Sequence, residues 1–298
     1  MKKIVTAALA MCIALAASAE GYQVNTLSTR QLGMGHTGVA LKLGAESMFF
    51  NPAGMAFSDK TIDVSASVTG IAPTATATLP DGSEWSTHNP VSTPLDFSAS
   101  FRVYDCLQAG VTFYTPYGSS IDWRDNWPGA VLNQRCDLRA FTVQPTLSWR
   151  ITPRLSVGAG LMVTWGSVNL DKGLVSASSM DAMLAGLAAT GAGAAMGIPA
   201  DYRFGTTTPA SVNLNGTTKL AFGFNVGAMF DITRNLTVGA SFRSKMKMTM
   251  DAGVASVRYA NDLASALLQP TLGIINQSNF EASMPCPYVL AFGLGYKP

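Results

Sequence analysis

Two long segments near the carboxyl end alternate strictly between apolar and polar residues. In residues 220–232 every even-numbered position is apolar, while most odd-numbered positions are small or polar. Residues 236–251 repeat the pattern, and only Ser244 interrupts their apolar side. A period of two is the repeat of a β-strand, and strands average only about five or six residues in soluble proteins. The two segments therefore predict unusually long strands, joined by a tight turn at residues 233–235.

Six further segments show the same alternation, so eight strands are predicted in all. Short turns between them alternate with long connections at 70–94, 115–139, 171–217 and 252–287. Outer-membrane barrels have this asymmetry, with the short turns in the periplasm. The predicted strands are Ile62–Val68, Leu95–Val103, Leu107–Phe113, Phe141–Trp149, Leu155–Trp165, 220–232, 236–251 and Tyr288–Lys297.

The composition favours a membrane protein over a soluble one. Only 13% of the residues are charged and 48% are hydrophobic, whereas soluble domains carry about 25% charge. A soluble β-sandwich also alternates, but it needs neither such long strands nor so little charge. No stretch after Ala19 approaches 18 uninterrupted apolar residues, which excludes helical spans. The remaining way to cross a bilayer is an all-β fold, a transmembrane antiparallel β-barrel.

The amino terminus indicates secretion. Two lysines precede an apolar run from Ile4 to Ala17, and Ala17-Ser18-Ala19 is a small-x-small cleavage site. We expect residues 1–19 to be a signal peptide, 20–60 an N-terminal segment and 61–298 the barrel strands. Removal of residues 1–19 leaves 18 basic and 18 acidic residues. This neutral balance provides no basic surface for nucleic acid.

Nothing in the sequence indicates an enzyme, a metal site or a cofactor. Only two histidines occur and no GxSxG motif is present. The segment Gly33–Gly38 formally matches the dinucleotide fingerprint GxGxxG, but the residues before it do not form a buried strand. The three cysteines after the signal peptide, Cys106, Cys136 and Cys286, form neither a disulfide framework nor a CxxC motif.

Two of the long connections carry apolar residues at helical spacing. One interpretation is that these helices pack on each other or on the barrel mouth. The other is a groove that captures apolar ligands. The candidate capture residues are Met180, Met183, Leu184, Leu187, Leu263 and Leu267.

The N-terminal segment resembles the plug of the FadL-like transporters of long-chain fatty acids and other hydrophobic compounds. The match rests on Leu32-Gly33 and on Asn51-Pro52-Ala53 directly before the first strand. Pro52 restricts Asn51 to extended geometry, so the motif can define a bend. The resemblance covers the mature chain but only about the first two-thirds of a typical member. The implied plug or gating residues are Gly33, Gly35, Asn51, Pro52 and Ala53.

The resemblance implies a fourteen-stranded barrel with the plug inside its lumen, in the outer membrane of a Gram-negative bacterium. Such a barrel passively moves hydrophobic molecules inward. Ligands are captured at the outer loops, pass to an interior pocket and leave after the plug rearranges, partly through a lateral opening. The implied partners are a hydrophobic ligand and membrane lipid, with a monomeric full-length protein and no cofactor. The alternative function is a barrel that serves as a surface adhesin or structural anchor.

The sequence departs from the family in two respects. Fatty-acid members have an arginine for the substrate carboxylate where this chain has Ser167, with Lys172 the nearest basic residue. Eight strands enclose a space that side chains alone fill, so we expect the sequence to be incomplete. The alternatives are displacement of the plug and closure of the barrel by an oligomer. Three further basic residues, Arg243, Lys245 and Lys247, are predicted to face the lumen, where they meet an anion or pair with carboxylates of the plug or with water.

Overall fold

The computed structural model describes residues 22–124 and 126–297, so the predicted signal peptide 1–19 lies outside it. In this part of the chain, thirteen strands are found, and eleven of them form one antiparallel sheet while β2 and β3 form a small hairpin. The strands are β1 (Ile62–Val68), β2 (Thr76–Thr78), β3 (Glu84–Ser86), β4 (Leu95–Tyr104), β5 (Leu107–Asp122), β6 (Arg135–Arg150), β7 (Leu155–Val175), β8 (Ala210–Thr217), β9 (Ala221–Asp231), β10 (Leu236–Arg243), β11 (Met246–Tyr259), β12 (Gln277–Cys286) and β13 (Val289–Tyr296).

Five α-helices in the described part of the chain lie outside the sheet. No helix in residues 22–124 or 126–297 is long and apolar enough to cross a bilayer. Short 3-10 turns occupy Gly38–Ala40, Gly44–Glu46, Pro52–Phe57 and Gly273–Ile275. The helices are α1 (Thr29–Gly33), α2 (Ser47–Phe50), α3 (Ala177–Ala189), α4 (Ala192–Ala195) and α5 (Asp262–Leu272).

The eleven strands form eight long antiparallel segments. β8 and β9 together lie along the whole of β7. Next to them, β10 pairs with β9 and β11 pairs with β8. Beyond these, β13 pairs with β10 and β12 pairs with β11. The number of long strand segments therefore agrees with the prediction of eight. The predicted connections are too long, because most of 115–139 belongs to strands, and 171–217 and 252–287 begin and end in strands.

The predicted strand 236–251 is interrupted at Ser244 and Lys245. Arg243 and Ser244 both lie on the inner side, and the Ser244 hydroxyl accepts a hydrogen bond from the Phe224 amide at 2.9 Å. This shift by one residue moves every later side chain to the opposite face. The even-numbered residues of β10 thus point outward, whereas Met246, Met248 and Met250 of β11 point inward and are buried.

The sheet curves around the N-terminal segment, residues 22–60. Gly44–Glu46 packs on β1 at one edge, and Gly38–Ala40 packs on β13 at the other. Between them, Pro52–Phe57 packs on β6, β7 and β9. We call the face that contacts this segment the inner face. The two edge strands do not pair with each other within the described residues, so the sheet is open there.

The outer face is apolar along most of its height. Outward residues of β9 and its flank run from Leu220 to Phe230, and Phe224 is 49% exposed while inward Asn225 is 1% exposed. Ten residues of a tilted strand span about 25 Å, the height of the apolar band in membrane barrels. The alternation therefore predicted the facing of this strand correctly.

The helices α3 and α5 lie at the end of the sheet that carries the long loops. Helix α3 begins after Ser176, whose side chain accepts a hydrogen bond from the Ser179 amide. Asn261 caps α5 in the same way. The opposite end carries the short turns at 105–106, 151–154 and 232–235. The long-loop end and the short-turn end give the sheet its polarity.

The outward register makes a first prediction about stability in lipid. Phe224→Arg places a charge on the apolar face and should destabilise the protein by about 2–4 kcal/mol if the residue lies near the midplane. Leu132→Arg, at an exposed position between β5 and β6, should change stability little. Urea unfolding in lipid vesicles measures both changes, and equal effects would contradict the register.

The cysteines give a second prediction. The Cys106 carbonyl accepts a hydrogen bond from the Arg150 amide at the short-turn end, whereas Cys136 lies at the far end of β6. Fourteen residues of strand separate Cys136 from Arg150, about 46 Å at the usual rise. A disulfide requires Cα atoms within about 7 Å. Peptide mapping after oxidation should find no Cys106–Cys136 bridge, and finding one would refute the topology.

Candidate functional site

Asn51 fixes the N-terminal segment to the sheet. Its side chain is fully buried, and its Nδ2 donates to the carbonyls of Val39 at 2.7 Å and Ala228 at 3.0 Å. Its Oδ1 accepts from the Ala53 amide at 3.1 Å. Asn51 is extended, as expected before Pro52, and Pro52 begins the 3-10 turn. The Asn-Pro-Ala motif is thus a corner held by hydrogen bonds.

Polar side chains of the wall bind carbonyl groups of the same segment. Gln144 and Asn225 donate to the Met48 carbonyl at 2.7 and 3.0 Å. The hydroxyls of Ser148 and Ser156 donate to the Ala53 carbonyl at 3.2 and 2.9 Å. These buried backbone groups would otherwise be unpaired, which costs about 1–3 kcal/mol each. The segment is therefore held by the inward polar residues of three strands.

Gly33 and Gly35 take no part in this contact. Both are exposed, and a Cβ atom added at either would meet nothing within 4 Å. Gly35 has φ +65°, a conformation that suits glycine in the turn after α1. The neighbouring His36 packs its ring 5.5 Å from that of Phe50, and burial lowers the pKa of His36. The two glycines thus shape a turn and lie outside the anchored corner.

A methionine patch, formed by Met162, Met246, Met248 and Met284, lies on the inner face towards the long-loop end. Met162, Met246 and Met248 are buried, and they cluster with apolar and aromatic residues and with one thiol. Methionine is flexible and polarisable, and it is common on surfaces that accept varied apolar ligands. The other members of the cluster are Tyr22, Tyr117, Leu138, Ala140, Ala221 and Cys286.

The position of the methionine patch shows that Lys245 and Lys247 do not face the lumen as predicted. Because the strand slips at Ser244, Lys245 and Lys247 point outward and are exposed, so the prediction that they face the lumen is wrong. Met246 and Met248 occupy the inner face instead. An apolar residue suits either a lipid-facing or a packed position, so hydrophobicity alone could not assign the methionines. Ser244 was the only signal of the slip.

Arg243 does point inward. Its guanidinium lies over the Phe49 ring, 3.9 Å from the centroid, and donates to the Phe49 carbonyl at 3.0 Å. Its Nε is buried and has no hydrogen-bond partner. A buried unpaired donor on a charged group is costly. Arg243 therefore offers a free donor beside the N-terminal segment, and it lies within electrostatic range of Tyr117 in the cluster around the methionine patch.

A groove of about 590 Å³ lies beside the patch, where β5 extends beyond β4 and pairs with β6. Leu138 lines the groove and also packs on the patch. Residues 22–24 lie along the free edge of β5, because the Val24 amide donates to the Pro116 carbonyl and the Gly118 amide to the Tyr22 carbonyl, both at 2.9 Å. Other lining residues include Val24, Ile71, Pro94, Leu95, Arg139 and Phe141.

The predicted capture residues lie mostly in a small core between the loop helices. Met180 and Leu184 are buried against Phe204 and Ala264, with Leu187 and Leu267 packed at the edge. Met183 is 40% exposed, and Leu263 is half-buried outside this core. The helices thus pack on each other through most of these residues.

Ser167 does not line the interior, because it shares the outward side of β7 with Trp165, whose ring packs near Phe141 at 6.3 Å. Lys172 is also exposed. Within the described residues, His, Cys, Asp and Glu side chains form no group of three or more that could hold a metal ion. Arg243 is thus the basic residue that the structure places against the inner site.

Comparison with known proteins gives a consistent result. The family model described as "Outer membrane protein transport protein (OMPP1/FadL/TodX)" matches residues 10–297. The long-chain fatty acid transport protein of Escherichia coli O6:H1 is 23% identical over 276 residues, 84% of this chain and 56% of that protein. Outer membrane protein P1 of Haemophilus influenzae is 23% identical over 286 residues, 88% of this chain and 62% of that protein.

Solved structures share the fold at low sequence identity. A FadL homologue from Pseudomonas aeruginosa aligns with a TM-score of 0.62 and 17% identity, covering 93% of this chain and 66% of its own. The Ralstonia pickettii toluene transporter TbuX aligns with a TM-score of 0.59 and 16% identity, covering 92% and 69%. The antiparallel strands therefore have the β-barrel fold of these neighbours.

The chain spans between 56% and 62% of the length of the two curated relatives described above. The family consists of transport proteins of the outer membrane, in agreement with the predicted location and with the expectation that the chain is not an enzyme. Because the family model matches almost the whole sequence, the chain belongs to the OMPP1/FadL/TodX family of outer membrane transport proteins.

Proposed function

We propose that this chain forms the plug-bearing part of a passive channel for hydrophobic molecules that carry an acidic head group. The observation that supports this most directly is Arg243, whose buried Nε has no partner beside an apolar interior surface. The head group would bind Arg243, and the tail would lie against the methionine patch. The patch is closed by its own side chains and by Tyr22, so entry requires these flexible side chains to rearrange.

Arg243 would replace the arginine that fatty-acid members carry at the position of Ser167. A guanidinium binds a carboxylate through two parallel hydrogen bonds, which fix the head group as well as attract it. One of its NH groups already donates to the Phe49 carbonyl. A ligand carboxylate at Nε would therefore lie close to the N-terminal segment and link ligand binding to the position of that segment.

The lateral groove would serve as the exit. It has a volume typical of ligand sites, about 300–1,000 Å³, and its lining is largely apolar. Residues 22–24 separate it from the methionine patch, and they are held to β5 mainly by backbone hydrogen bonds. Displacement of these residues would join the two spaces. Capture would begin at the loop helices, where Met183 is the exposed apolar residue of α3.

Arg243 gives the third prediction and tests the proposed function. The purified protein should bind palmitic acid more tightly than hexadecanol, because only the acid bears a carboxylate. Arg243→Met should abolish this preference, a change of about tenfold or more, since a charged hydrogen bond contributes about 1.5–3 kcal/mol. Arg243→Lys keeps the charge and should retain part of the preference. Tryptophan fluorescence titration of the three proteins with the two compounds measures all six affinities.

The ratio of the two affinities separates the head-group contact from damage to the fold. A shift of the N-terminal segment would weaken acid and alcohol alike and leave their ratio unchanged. An unchanged preference in Arg243→Met would refute the role of Arg243. Failure of the wild-type protein to bind either compound would contradict the channel and leave the surface anchor as the alternative.

The fourth prediction concerns the segment as a plug. A Cβ atom added at Gly227 would lie 2.1 Å from the Asn51 Oδ1, so Gly227→Ala should displace Asn51 and loosen residues 38–57. Overpacking of this kind costs about 1–3 kcal/mol. Gly186→Ala is the matched control, because its Cβ would meet nothing within 4 Å.

Hydrogen exchange should become faster in residues 38–57 of Gly227→Ala and stay unchanged in Gly186→Ala. Entry of a hydrophobic dye into vesicles that contain the protein should rise in the first variant only. Faster exchange without any change in dye entry would show that the segment anchors the wall and does not gate it.

A further inference from the structure

Lys245 and Lys247 have no role in the interior, and their surroundings on the outer face indicate another partner. Both are exposed and point to the same side of the chain, two residues apart. Side chains at this spacing start about 6.6 Å from each other. Neither lysine has an ion pair within the part of the chain that the structure describes, whereas Lys219 nearby pairs with Asp251. The two like charges are therefore uncompensated by the protein.

The two lysines lie at the upper limit of the apolar band. The unbroken run of large outward apolar residues ends at Leu220 on one neighbouring segment, at Phe242 before Lys245, and at Tyr288 on the other neighbour. The rings of Phe242 and Tyr288 pack with their centroids 6.3 Å apart. Aromatic residues of membrane barrels concentrate at the two interfaces of the bilayer. This limit is the one nearer the long loops.

Lysine is suited to this position. Its four-carbon stem lies along apolar surface, while the ammonium group extends to the polar interface. Acyl chains that cover Leu220, Phe222 and Phe242 would bring a lipid head group to the level of Lys245 and Lys247. The groups that compensate paired ammonium charges at a bilayer surface are lipid phosphates.

We propose that Lys245 and Lys247 bind the phosphate of a phosphorylated lipid in the leaflet on the long-loop side. The acyl chains of that lipid pack on the outward residues Leu220, Phe222 and Phe242. This site is separate from the proposed transport path, because the strand slip at Ser244 places the lysines and the methionine patch on opposite faces. The inference depends on the outer-membrane location alone and not on which ligand the channel takes.

The fifth prediction tests this lipid site with the full chain in detergent. Diphosphorylated lipid A is titrated, and the bound lipid is measured by native mass spectrometry. Lys245→Gln combined with Lys247→Gln should weaken binding by about thirtyfold at low ionic strength, since each basic residue near the membrane surface contributes about fivefold. The double arginine variant at the same positions should bind like the wild type. High salt should weaken wild-type binding more than that of the glutamine variant.

Lys60→Gln combined with Lys297→Gln removes the same charge from exposed positions at the short-turn end and should leave binding unchanged. Circular dichroism checks that all variants are folded. Equal binding by the 245/247 glutamine variant, an equal loss in the 60/297 control, or equal affinity for lipid A without phosphates would each overturn the proposal. Full displacement by inorganic pyrophosphate at the concentration of the lipid would also contradict it, because free phosphate lacks the acyl contacts.

Discussion

The close approach of the N-terminal segment to the sheet determines the rest of the structure. A Cβ atom at Gly158 would lie 2.4 Å from the Pro52 carbonyl carbon, and one at Gly239 would lie 2.2 Å from the Val39 carbonyl oxygen. Side chains at these inward positions would push the segment away from the wall. Because both positions are glycine, the segment lies close enough to the sheet for Asn51 to donate a hydrogen bond to the Ala228 carbonyl. The curvature of the sheet follows, because both of its edges contact the same segment.

The sequence predicts the face to which a strand residue points wherever the alternation of apolar and polar residues is unbroken. Alternation correctly placed Phe224 on the outer face and Asn225 on the inner face, because a strand with one face in lipid must keep its period of two. The slip at Ser244 could not be predicted in the same way. It depends on a hydrogen bond between Ser244 and the Phe224 amide of a neighbouring strand, a contact between residues twenty positions apart. Both Lys245 and Lys247 were assigned to the wrong face for this reason.

The candidate site was predictable to a similar extent. The Asn51-Pro52-Ala53 motif indicated a corner, because proline limits the preceding residue wherever it occurs. Its partners, Val39 and Ala228, are distant in sequence and were not predictable. Arg243 was correctly expected to face inward. Its partners in the structure are the carbonyl and the ring of Phe49, whereas a carboxylate of the plug was one of the expected partners. Loop residues such as Met180 have helical spacing, which predicts a helix but not its packing partner.

The distribution of hydrogen bonds indicates which part of the N-terminal segment moves first. Residues 48–53 are held by side chains of Gln144, Asn225 and Ser156, all buried where water cannot replace their hydrogen bonds. Residues 22–24 have fewer anchors: two backbone hydrogen bonds to the edge of β5, and the Tyr22 hydroxyl, which donates to the Pro285 carbonyl at 2.7 Å. Contacts at an edge open at lower free energy than fully buried networks. In the proposed function, opening there would connect the methionine patch to the groove while Asn51 stays bound. A ligand would then pass sideways without removal of the whole segment, so the proposal reconciles the strong anchor with an open path.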